Sequence, residues 1–214
     1  FVPSFVIWIT IPFAPDIVLR SLDMGLFFII AFSVLSIVGI VMAGWGSANK
    51  YAILGGLRSA AQLISYEIPI IMVVVAVAMI PQSMNLVTIV EDQRILPYAA
   101  IMPLGFLIFL IAGVAEVGRT PFDIYFAESE VVGGPFVEYS GAHWAVFFLA
   151  EYINTFAIAA LVAILFLGGW SFPLMPDIPW LSFLWVVAKI YLVVVVIFWF
   201  RGSFRRLRID QLMS

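Results

Sequence analysis

Residues 144–167 read WAVFFLAEYINTFAIAALVAILFL, with Glu151 as the single charged side chain in the stretch. The run is apolar on every side, and at 1.5 Å per residue it is long enough to cross about 30 Å of hydrocarbon. Working outward, comparable runs cover 26–43, 60–80, 97–115 and 179–200, and a partial one covers 1–13. The strands of a transmembrane barrel alternate apolar and polar residues over about ten positions. FLIFLIAGVA (106–115) and YLVVVVIFWF (191–200) do not alternate. The composition agrees: of 214 residues 64% are apolar and 11% charged, whereas a soluble domain carries roughly 25% charged residues to wet its surface. Mean hydropathy is +1.16. The expected fold is all-α, a polytopic transmembrane bundle of about six spans forming one membrane domain over 1–214.

Other totals narrow the chemistry. No cysteine is present and His143 is the one histidine, which argues against a thiolate-held cluster or a protein-only zinc site. A formal charge of −3, with four arginines gathered in the tail, makes no basic stripe for nucleic acid. The chain opens on Phe1 with no basic stretch before its first apolar run, and we read it as a fragment or a processed chain. The connections after the second and fourth runs, with the tail, hold Lys50, Arg58, Arg119, Arg201, Arg205, Arg206 and Arg208; the opposite connections hold Arg20 and Arg94. This bias puts the 116–143 loop and the C-terminus on the cytoplasmic or matrix side. Trp144, Trp170, Trp180 and Trp199 fall near run ends, where interfacial anchors sit.

Three ionisable groups lie within the runs. Each costs at least ~2.5–3.5 kcal/mol at mid-membrane on insertion scales, so a mere anchor would exclude them. Counted along the helices, Glu67 lies roughly 13 Å in from Arg58, Glu151 roughly 12 Å in from His143, and Lys189 roughly 18 Å in from Arg201. One reading pairs Lys189 with Glu67 or Glu151 as an internal salt bridge, which leaves a carboxylate over. A chain of such carboxyl groups is the usual sign of a proton relay. The 116–143 loop adds Glu116, Asp123, Glu128, Glu130 and Glu138 against Arg119 alone. These alternate with Phe122, Ile124, Phe126, Val131, Val132 and Phe136, while Pro121 and Gly133–Gly134–Pro135 fix turns. The expected result is a packed, acidic vestibule at the mouth of the bundle.

Several strings resemble one family. EVGRTPFD (116–123), AESEVVGG (127–134), EYSG (138–141) and FFLAEY (147–152) resemble the H subunit (the first core membrane subunit in mitochondria) of respiratory complex I, the proton-pumping NADH:quinone oxidoreductase. NKYAILGGLRSAAQLISYEIP (49–69) and FWFRGSFRRLRIDQLM (198–213) resemble the same family, in the same order. That family has eight spans, of which this chain corresponds to the second to the seventh. The resemblance implies a membrane subunit that helps to form a quinone chamber, with quinone as substrate and with FMN and iron–sulfur clusters confined to partner subunits. Implied partners are hydrophilic quinone-site subunits, small membrane subunits, antiporter-like subunits and the lipid of a bacterial plasma membrane or mitochondrial inner membrane.

Carried over by motif position, Glu67 and Glu151 are the intramembrane members of an acidic coupling path, and Glu116, Asp123, Glu128, Glu130 and Glu138 its members at the mouth. Arg119 would hold the loop by a bidentate fork to carboxylates. Arg58, Tyr66 and Phe122 would support the site near the quinone chamber. After PFD the family commonly carries a further glutamate; here the stretch is Ile124, Tyr125, Phe126. Two other readings stay open: a membrane subunit of a related hydrogenase or formate hydrogenlyase, and an ion-coupled secondary transporter. Transporters of the latter kind break their spans with Gly or Pro at mid-membrane, and the spans holding these residues show no such break.

Overall fold

The computed structural model describes residues 1–15, 17–124, 128–171 and 179–207, and among these it is helical, with one isolated bridge between Ala14 and Ile17 in place of any strand. Helix α1 (Val2–Val6) passes into a 3-10 turn over Ile7–Ile9. The first run therefore stops short of Phe13, because Pro12 has no N–H to give and disfavours a helical Ile11. Helix α2 (Gly25–Gly46) turns at Asn49, whose side chain accepts from the Tyr51 N–H and caps α3 (Lys50–Met79). Helix α3 begins ten residues before the apolar run at 60, since the two glycines and two charges of 50–59 lower hydropathy without preventing a helix. At roughly 45 Å it is longer than the hydrocarbon is thick. It continues unbroken through Pro69.

Helix α4 (Leu86–Asp92), capped by Asn85, lies outside every apolar run and buries Leu86, Ile89 and Val90, spaced i, i+3, i+4. The run at 97–115 divides into α5 (Tyr98–Ile101) and α6 (Pro103–Glu116). Met102 takes φ −127° and ψ 65°, out of the helical region that a following proline disfavours. A single turn, α7 (Glu128–Val131), and a 3-10 turn over Gly134–Phe136 lie within the loop. Helices α8 (Gly141–Leu165) and α9 (Pro179–Ser203) complete the bundle. Among the described residues α2, α3, α8 and α9 are long and apolar enough to cross a membrane, and α6 is a shorter apolar helix.

The core forms where these helices cross, around Val73 and Val77 of α3, Phe109 of α6, Ala157–Leu165 of α8 and Val186, Ile190, Val193, Val194 and Ile197 of α9. Lipid offers no hydrophobic drive to bring helices together, so close approach through small residues does that work. A Cβ on Gly44 of α2 would stand 2.8 Å from the Ala52 carbonyl of α3, and one on Gly113 of α6 would meet Ile158 of α8 at 2.7 Å.

Two expectations are corrected by this packing. Lys189 does not pair with Glu67 or Glu151: its ammonium donates to the carbonyls of Leu167, Gly169 and Ser171 at 2.6, 2.7 and 3.2 Å. Those carbonyls follow the C-terminus of α8, roughly 21 Å along that helix from Glu151. A cation is favoured there by the helix dipole as well as by the oxygens. Trp170 belongs to the same turn and is 3% exposed, buried in the core and not an interfacial anchor. Trp180 and Trp199, 73% and 70% exposed, do stand at the surface.

Candidate functional site

Helix α3 presents two adjacent stripes that organise everything around it. Arg58, Gln62 and Tyr66, spaced by four, share one face. Arg58 Nη1 pairs with Glu130 Oε2 at 2.7 Å, and Arg206 Nη2 reaches Glu130 Oε1 at 3.8 Å. Gln62 Nε2 donates to the carbonyls of Ala115 and Phe122 at 2.9 and 2.8 Å. The Tyr66 ring lies 5.3 Å from that of Phe122. This stripe stitches the end of α6 and the start of the loop to the bundle.

The rest of the loop folds back over the same end. Val132, Gly133 and Gly134 carry positive φ (57°, 104° and 70°), which reverses the chain within three residues. The reversal lays Gly134 so close to Gly55 that a Cβ on Gly55 would stand 2.7 Å from its Cα. Ser47 Oγ donates to the Pro135 carbonyl at 3.3 Å, Tyr139 Oη to that of Ala43 at 3.2 Å, and Asn49 Nδ2 to Glu138 Oε1 at 2.9 Å. From the tail, the Leu207 N–H donates to the Pro121 carbonyl at 3.0 Å.

The neighbouring stripe of α3, through Leu63 and Glu67, faces a cavity of about 190 Å³. Glu67 of α3, Glu116 at the end of α6 and Glu151 of α8 all line it, with Ser33 and Ser36 of α2 and Asn154 of α8. Aliphatic side chains such as Ile37, Ile70 and Ile158 make up most of the remaining wall. Within this largely apolar wall the three carboxyl groups, with the two serines and the asparagine, give water the partners it needs to occupy the site. Glu67, 8% exposed, accepts a hydrogen bond from Ser33 Oγ at 3.2 Å. Glu116 lies within electrostatic reach of Glu67, and Asp123 and Arg201 within reach of Glu151.

Arg119 reaches Glu151 Oε1 through Nη1 at 3.2 Å, and its guanidinium lies 4.7 Å over the Tyr152 ring. The contact runs through one nitrogen and is not the expected fork, for Nε and Nη2 are buried with no hydrogen-bond partner among the described residues. Arg119 thus ties the start of the loop to α8.

The structure therefore sorts the sequence-derived residues into two sets. Glu67, Glu116 and Glu151 share the cavity. Glu130 and Glu138 are held at the loop's contacts with α3 and the α2–α3 turn by Arg58, Arg206 and Asn49. The backbone of Glu128 lies in α7; its side chain, and Phe126, fall outside the described residues. Sequence reading passed over Ser33, Ser36, Gln62 and Asn154. Signals existed: two hydroxyls in an otherwise apolar span, a glutamine four residues from both Arg58 and Tyr66, and an amide three residues after Glu151.

Known proteins supply the remaining comparison. Over 100% of its length the chain is 52% identical to the H subunit of the NADH-quinone oxidoreductase of Geobacillus kaustophilus (strain HTA426). It is 48% identical to the H subunit of the same enzyme in Anoxybacillus flavithermus (strain DSM 21510 / WK1) and 46% identical to that of Brevibacillus brevis (strain 47 / JCM 6285 / NBRC 100599). It spans 64% of the length of each of these relatives. The model of the family described as NADH dehydrogenase matches residues 1–214, and the chain belongs to that family.

Proposed function

We propose that this chain forms most of a membrane subunit of a proton-translocating NADH:quinone oxidoreductase, where it would enclose part of a quinone chamber and carry an acidic path that couples quinone reduction to proton pumping. The chain is a multi-pass integral protein of a bacterial plasma membrane. On this reading the quinone is a substrate, and FMN and the iron–sulfur clusters belong to partner subunits; a chain without cysteine has no thiolate to hold a cluster. Hydrophilic quinone-site subunits would sit against the 116–143 loop, with small membrane subunits and antiporter-like subunits along the bundle.

The observation that carries the reading is the one cavity shared by Glu67, Glu116 and Glu151 beneath the folded loop. Quinone and quinol are both neutral, so reduction, which takes up two electrons and two protons, changes the charge near the loop through the protein groups that give up those protons. A unit charge 4 Å from another contributes about 4 kcal/mol at an effective dielectric of 20. Moving a proton against the membrane potential costs about 2.3 kcal/mol per 100 mV. A single nearby change of charge is therefore of the right size to drive one proton step. Glu67, Glu116 and Glu151 would be the groups that take up and release it, with Asp123, Glu128, Glu130 and Glu138 at the mouth. Arg119 holds Glu151 in place, and Arg58, Tyr66 and Phe122 fix the loop beside the chamber.

A transporter reading loses ground, because Lys189 is engaged by carbonyls and α3 is continuous beside Glu67. Relatives named for quinone reduction likewise favour this reading over a hydrogenase-type protein. The test compares a cavity carboxylate with a rim carboxylate in the intact complex. Glu151→Gln should reduce coupled proton pumping at least about tenfold, the scale of a lost charge-assisted contact. Glu138→Gln, which keeps an acceptor for Asn49, should reduce it far less. Equal losses from both would contradict the distinction between cavity and rim.

A further inference from the structure

Ser33 sits one helix away from Glu67, and its hydroxyl stands within bonding distance of two acceptors. Oγ is 2.8 Å from the Ile30 carbonyl of its own helix and 3.2 Å from Glu67 Oε1. A serine hydroxyl has one proton to donate and two lone pairs to accept with. It cannot donate to both neighbours at once. The proton therefore has two resting directions, toward the α2 backbone or toward the carboxyl group.

Each direction matches one charge state of Glu67. When Glu67 is ionised, the Ser33 O–H turns to it and forms a charge-assisted hydrogen bond. When Glu67 is protonated, its own O–H donates to the Ser33 oxygen, and the Ser33 proton returns to the Ile30 carbonyl. Ser33 and Glu67 stay hydrogen-bonded to each other in both states, and losing that bond would cost the desolvation of a buried group. No bond of Ser33 breaks in this exchange: one hydroxyl rotates, and the proton gained by Glu67 comes from the cavity. Glu67 is buried, and among the described residues Ser33 is the side chain that hydrogen-bonds it.

We propose that Ser33 is a positioning residue for Glu67, a rotating hydroxyl that lets this carboxyl group change protonation state without moving either helix. The inference rests on reading Glu67 as a proton-carrying member of the acidic path. A valine or alanine would fill the same place in the α2–α3 contact and would satisfy neither charge state.

The test uses the whole complex in membranes, with redox-induced infrared difference spectra and proton pumping measured together on Ser33→Ala, Ser33→Thr and Glu67→Gln. Glu67→Gln identifies the carboxyl stretch belonging to Glu67, as the band it removes. Ser33→Ala should shift that band to higher frequency, as a carboxyl group that has lost a hydrogen bond, and slow pumping by about three- to tenfold. Ser33→Thr, which restores a hydroxyl, should return both toward wild type. An unshifted band and unchanged pumping in Ser33→Ala, alongside a strong Glu67→Gln effect, would overturn the role of Ser33 and leave the acidic path standing. Loss in Ser33→Ala that threonine does not restore would also overturn it, since the hydroxyl would then be irrelevant. A Glu67→Gln complex that pumps normally would overturn the proposal together with the reading beneath it.

Discussion

At the scale of residues, the most instructive side chain is Lys189. Sequence spacing made it a candidate partner for a buried carboxylate, because a lysine in a span must find a compensating group. What spacing cannot express is that the chain after α8 turns so that three carbonyls converge on it. The turn depends on Gly168 and Gly169, both at positive φ (74° and 48°), and a Cβ on Gly169 would meet Val90 at 2.9 Å. Lys189→Met keeps the aliphatic reach and removes all three donors. We expect it to destabilise the α8–α9 junction by about 1–3 kcal/mol, read as a lower thermal midpoint of the detergent-solubilised protein, with Lys189→Arg closer to wild type. A midpoint unchanged by methionine would mean that the carbonyls are satisfied without the ammonium.

At the scale of elements, apolar runs made the long helices legible and left their polar extensions invisible. Helix α3 is the clearest instance: its apolar part from residue 60 onward is evident, while its first ten residues read as a connection. Those ten residues carry Gly55 and Arg58, two of the points that pin the loop. The composition of the loop, with apolar residues between acids and glycines at the turn, did foretell a packed segment. Which acid met which base was not legible, because Arg58, Glu130 and Arg206 are brought together from three separate stretches of chain. Gly55→Ala should push Gly134 away and loosen the loop by about 1–3 kcal/mol, seen as faster limited proteolysis between α6 and α8. Arg58→Glu and Glu130→Arg should each do the same more weakly, and the double exchange should recover part of the loss, with a coupling of about 1 kcal/mol or less for a pair that is one-quarter exposed. Proteolysis indifferent to Gly55→Ala would show that the Gly55–Gly134 contact does not hold the loop.

At the scale of the whole molecule, the bundle gathers three carboxyl groups from three helices into one space and closes the adjoining end with a loop anchored to α2, α3, α8 and the tail. Charged residues within apolar runs announced Glu67 and Glu151 from sequence, and the acidic composition of the 116–143 loop added Glu116. Their common cavity, and the part taken in it by Ser33 and Asn154, required the helices to be packed against one another. The acidic path stands most directly on Glu67. In the intact membrane complex, Glu67→Gln should leave assembly normal and collapse proton pumping, with quinone reductase activity measured in the same preparation to place the loss at coupling or at the chamber. A fully assembled Glu67→Gln complex that reduces quinone and pumps protons at wild-type rates would contradict the acidic path.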